Sequence, residues 1–181
     1  MSYQKAISTT LFVVFTFLWS HQGLSAIFPG TAGSILSKPE AGIFMTPLGF
    51  QLVQPDNTRW KIQSYLPEEK KVSWQKSNST ATASLVSEEI KTELTIEKYA
   101  RRWTKNFFAY GFDVLGIQDY TINNQKVAII DLIHRQEPKQ VRQVLFLKDK
   151  KLAILSCSGD KDKFVEVLQD CNLLAQGFYW H

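Results

Sequence analysis

This 181-residue sequence predicts an α+β fold built on an antiparallel sheet. Two observations carry the prediction. Apolar residues alternate with polar ones from Phe50 to Glu89, switch to helical spacing from Ile96 to Phe107, return to strand-like runs from Phe112 to Ser158, and end on helical spacing from Phe164 to Leu174. The strand-like runs are separated by short polar breaks such as Asn123-Asn124 and Glu137-Pro138, the signature of neighbouring strands joined by tight turns.

The chain opens "MSYQKAISTTLFVVFTFLWSHQGLSAIFPG", with Lys5, an apolar core from Leu11 to Trp19, and the small residues Gly23, Ser25 and Ala26. That is the layout of a signal peptide, over residues 1–25, with cleavage after Ser25 or Ala26. A spanning helix wants about 20 apolar residues, and this run is broken at Thr16 and stops at Ser20 and His21. No cysteine stands near the cleavage site, so acylation by the lipoprotein route is closed. The expected location of the mature chain is the periplasm or the extracellular space. About 155 residues remain, the size of one domain.

Residues 26–47 are rich in Gly, Ser and Pro without a period and read as an irregular arm, followed by a single domain over 48–181. Strands are expected at "LGFQLVQP", at "WKIQSYL" with Trp60, Ile62 and Ser64 on one face, and at "KVSWQKSN" and "TATASLVSEE". Then Ile96, Tyr99, Ala100, Trp103 and Phe107 mark a helix with Thr95 as its N-cap and Gly111 just past its end. The runs "FDVLGIQDYTI", "QKVAIIDLIHRQ", "QVRQVLFLKD" and "KLAILSCS" read as an antiparallel meander. A last helix carries Phe164, Val167, Leu168, Cys171 and Leu174 on its apolar stripe, and Gly177 can end it.

Little in this chain looks like catalytic chemistry. Loss of the signal peptide removes His21 and leaves His134 and His181, too few for a three-histidine metal site. Asp131 stands three residues before His134, an odd offset that points the two to opposite faces of a strand. "SCSG" lacks the nucleophile-elbow and P-loop spacings, and no CxxC pair exists. Glu68-Glu69 and Glu88-Glu89 read as solvated acids near strand ends. No metal, cofactor or catalytic residue is assigned, and the formal net charge of +4 does not call for nucleic acid.

With the elements placed, "LGFQLVQPDNTRW", "TIEKYARRWTKNF" and "QVLFLKDKKLAILSCSGDKDKFVEVLQDCNLLAQGF" resemble the opening strands, middle helix and closing hairpin and helix of the PsbP-like group, which includes the Ran-binding Mog protein and the bacterial DcrB and LpqN proteins. The resemblance spans Leu48 to Phe178. It implies a central antiparallel sheet flanked by helices on both sides, an αβα sandwich, and a task of binding, chaperoning or assembly. It carries no functional residue over, and the lipidation cysteine of DcrB and LpqN is lacking.

The expected function is therefore that of an exported, non-catalytic binding, chaperone or assembly-factor protein of the cell envelope. The alternative is an envelope hydrolase using Cys157 or Ser158 with His134. Lys98, Arg101, Arg102 and Lys105 fall at i, i+3, i+4 and i+7 on one helix face. That stripe is either a solvated surface or a docking face for a partner, which would be another envelope protein or an anionic lipid surface. Cys157 and Cys171 are expected to form a disulfide in an oxidising compartment, the other reading being two buried thiols. Geometry is the difficulty. A helix starting near Asp162 carries Cys171 about 13 Å along its axis, so the intervening loop has to overshoot before the helix returns.

Overall fold

Alternation of the expected kind builds most of a seven-stranded antiparallel sheet. The computed structural model describes residues 43–45, 49–53, 58–66 and 68–181. Its strands are β1 (Ile43–Met45), β2 (Phe50–Val53), β3 (Trp60–Leu66), β4 (Lys71–Lys76), β5 (Thr82–Glu89), β6 (Phe112–Ile122), β7 (Gln125–His134), β8 (Lys139–Lys148), β9 (Lys151–Asp160) and β10 (Phe178–Trp180). The helices are α1 (Ile96–Thr104) and α2 (Phe164–Gln176). The large sheet runs β3-β4-β5-β9-β8-β7-β6, and β1-β2-β10 form a second, small sheet. Two of the hairpin turns use asparagine, which tolerates a left-handed backbone: Asn123 and Asn124 sit at φ 50° and 61°, and Asn78 at φ 54°.

Residues paired across strands share a face, and successive residues along a strand alternate. Val72, Trp74, Leu85, Val144, Phe146 and Leu155 therefore gather with Phe164, Val167 and Leu174 of α2 in one core, which Phe50 and Phe178 of the small sheet extend. Phe178 stacks on Phe146 with ring centroids 4.0 Å apart and meets Trp180 edge-on. Each such side chain contributes about 1.5–3 kcal/mol on burial. α1 packs on β6, β7 and β8, where Trp103 donates its indole N–H to Gln143 Oε1 at 2.8 Å.

Four differences from the sequence reading have physical causes. Ser64 does not share the face of Trp60 and Ile62, because the register slips between Ile62 and Ser64 and turns Ser64 toward Ser73. Within the expected arm, Ile43–Met45 form a strand against β2, and beyond the last helix Phe178–Trp180 form another. Three-residue strands are too short to show a period. Glu88 is half-buried and accepts a hydrogen bond from the Tyr99 hydroxyl at 3.0 Å, so it is no freely solvated acid. Finally, β9 does not stop with the run "KLAILSCS" at Ser158 but runs to Asp160. The signal peptide and residues 26–42 of the arm lie outside the described residues.

Candidate docking face

α1 forms where the apolar spacing and the caps agree. Thr95 Oγ1 accepts the Lys98 N–H at 3.4 Å, and Glu97 in the first turn and Arg101 and Arg102 in the last complement the helix dipole. The inner face is pinned by Ile96, Ala100 and Trp103, all buried. Tyr99 stacks on Trp103 at 6.1 Å, and Trp103 meets Phe107 edge-on at 6.0 Å. Gln143 passes the indole's hydrogen bond on to Ser156 Oγ. Burial raises the Glu88 carboxyl above the usual range, opposed by the Tyr99 hydroxyl, and burial together with Glu88 pushes the Tyr99 phenol up.

The outer face carries the predicted stripe. Lys98, Arg101, Arg102 and Lys105 are all exposed, and none makes an ion pair among the described residues. Cations closer to the core are spent: Arg142 grips Asp131 with two bonds of 2.8 Å, and Arg59 and Lys76 converge on Asp170 at 3.3 and 3.1 Å. The stripe does not end with α1. Lys105 and Asn106 keep a right-handed backbone, a 3-10 turn follows over Phe107–Tyr110, and Gly111 at φ 83° closes it. Phe108, three positions after Lys105 and 66% exposed, continues the stripe as an aromatic patch. The Arg135 guanidinium lies 3.9 Å over its ring.

The other expected site residues are placed as follows. Cys157 and Cys171 form a disulfide with Cα atoms 6.0 Å apart. The overshoot that this requires is supplied by the strand itself. Three residues of β9 beyond Cys157 advance about 10 Å, and the seven from Phe164 to Cys171 return about 10 Å along the helix, with the 3-10 turn Lys161–Lys163 between them. Gly159 makes the approach possible, since a Cβ there would lie 2.9 Å from Val167 Cγ2. Cys157 of the hydrolase alternative is thus bonded to Cys171. Ser158 shares a 2.8 Å hydrogen bond with Thr82, and His134 Nδ1 is taken by two backbone amides, so these residues do not assemble as a nucleophile and base. Asp131 and His134 do not pair either. Among the described residues no three of His, Cys, Asp and Glu gather as metal ligands, and no helix is long and apolar enough to cross a membrane.

Two features escaped the sequence reading. Asp170 is buried on α2, where it takes Arg59, Lys76 and the Trp60 indole N–H at 3.2 Å. Its signal is its place on the apolar stripe, three residues after Val167 and four before Leu174. The Phe108–Arg135 corner joins residues from two different turns, and nothing in the pattern of either announces the other.

Neither a family model nor a curated protein matches this chain. Solved structures do. The cyanobacterial PsbP protein of Synechocystis sp. PCC 6803 superposes with a TM-score of 0.61 at 15% identity, covering 84% of this chain and 100% of its own. A Pseudomonas aeruginosa protein of unknown function, PA94, gives a TM-score of 0.50 at 14% identity, over 74% of this chain and 92% of its own. On these likenesses the chain has the PsbP-like fold.

Proposed function

We propose that this chain is an exported, non-catalytic binding or assembly protein of the cell envelope, and that the outer face of α1 docks an acidic surface on a protein partner. One observation carries the reading: four exposed cations share one helix face, none of them held in an ion pair among the described residues, and run into an exposed aromatic ring. Solvent alone does not call for a Phe at the end of such a stripe, whereas Arg beside an aromatic is the usual make-up of a binding centre. Export is supported by the signal-like N-terminus and by a disulfide that an oxidising compartment would keep. We read the helices as covering opposite faces of the sheet. Gln143 of β8 meets Trp103 of α1, and its neighbour Arg142 meets Asn172 of α2 at 3.0 Å.

The test is charge reversal. Arg101→Glu with Lys105→Glu is expected to weaken capture of the partner from envelope extract by about tenfold or more at low salt, with the difference shrinking as salt rises. Equal capture by both proteins at low salt returns the stripe to plain surface. Retention on anionic vesicles with no protein captured would make the partner lipid.

A further inference from the structure

The turn that delivers Arg135 is built around one imidazole. Nδ1 of His134 accepts the Glu137 N–H at 2.9 Å and the Gln136 N–H at 3.3 Å. A backbone amide only donates, so Nδ1 holds the lone pair and the ring proton sits on Nε2. The ring is fixed from its other side as well. It meets Phe112 edge-on at 4.8 Å, and a Cβ on Gly111 would fall 2.7 Å from Nε2. From this turn Arg135 donates its backbone N–H to the Gly111 carbonyl and its guanidinium to the Phe108 carbonyl, and comes within 3.8 Å of Asp113.

We propose that His134 is a proton-operated latch on the Phe108–Arg135 end of the docking face. Neutral, it closes the 134–137 turn and sets Arg135 over Phe108. When a proton from solvent takes the Nδ1 lone pair, the imidazolium has no acceptor left, both amides lose their partner, and the turn releases Arg135. The inference rests on α1 being the docking face and adds its regulation. Imidazoles change charge between about pH 8 and 5. The titratable and charged groups that sequence and strand register bring next to His134 are Asp113 on β6, Tyr110 in the 3-10 turn, Arg135 and Glu137 in the turn itself, and Lys139 on β8. Side chains of those types ordinarily titrate outside that window, so the histidine is the member of the group suited to respond.

The latch can be read without any ligand, by nuclear magnetic resonance on the mature protein. Between about pH 7.5 and 5, the wild type is expected to lose exchange protection at the Gln136 and Glu137 amides and the ring-current shift that Phe108 imposes on the Arg135 side chain. His134→Asn keeps a side-chain oxygen that can accept from the same amides but does not titrate. It should hold both signatures across the range. Phe108→Ala should remove the ring-current shift at every pH and leave the two amides protected. Amides that stay protected at pH 5, whether or not the His134 ring takes up a proton, overturn the latch, and so does a His134→Asn protein that loses protection as the wild type does. Failure of the docking face shows separately, as indifference to the α1 charge reversals.

Discussion

Glu88 shows how a single residue couples pH to the seating of α1. Burial holds its carboxyl above the usual range, so the group is neutral in both folded and unfolded chains at acid pH. As pH rises, the unfolded chain ionises first and the folded state loses relative stability until the folded carboxyl has ionised too. Glu88→Gln keeps an acceptor for the Tyr99 hydroxyl and removes that loss. Denaturation midpoints should therefore show Glu88→Gln more stable than wild type near pH 7 and equal to it near pH 3, and equal midpoints at both would contradict the assignment. At this scale the sequence was only partly readable. The pair Glu88-Glu89 looks like a solvated strand end, because which acid lies under Tyr99 depends on how α1 crosses β5. Asp170 was harder still, since Arg59, Trp60 and Lys76 reach it from about a hundred positions away and meet only once β3 pairs with β4 beneath α2. The charge stripe was readable in full, because helical spacing alone puts its members on one face.

Among the elements, the strands from β3 to β9 were legible because half-buried strands must alternate, and α1 and α2 because their apolar positions recur at helical spacing. β1 and β10 were not, since three residues of Phe, Tyr or Met fit a strand edge or a helix tail equally well. What fixes β10 is tertiary: Asn123 of the β6–β7 turn donates to the carbonyls of Gln176 and Phe178 at 2.7 and 3.1 Å, and Phe178 fills the space over Phe146. The disulfide ties α2 to the strand it returns over. The pair closes a loop of 14 residues, for which chain entropy gives about 3 kcal/mol at the upper end. Intact mass before and after reduction should differ by two hydrogens, and the reduced protein should unfold at lower denaturant by an amount of that order. Two cysteines that alkylate freely in unreduced, denatured protein would refute the bridge.

For the whole molecule, chemistry and position separate cleanly. The buried Asp170 cluster and the disulfide lie on α2 and the strands beneath it, beside the core that Trp60, Trp74, Phe146 and Phe178 share with that helix, where they stabilise the fold. α1, the 3-10 turn after it and the 134–137 turn present the cationic stripe, Phe108 and Arg135 to solvent. A binding protein with one working face is the simplest account of that division, and site-directed photocrosslinking tests it most directly. A crosslinker at Asn106, exposed beside the stripe and not one of its cations, would be compared with one at Leu173, which is 63% exposed on α2. Both proteins would be returned to their native envelope and irradiated. The account predicts a discrete protein adduct from position 106, lost when Arg101 and Lys105 are reversed, and none from position 173. An adduct from 173 with none from 106 would contradict it.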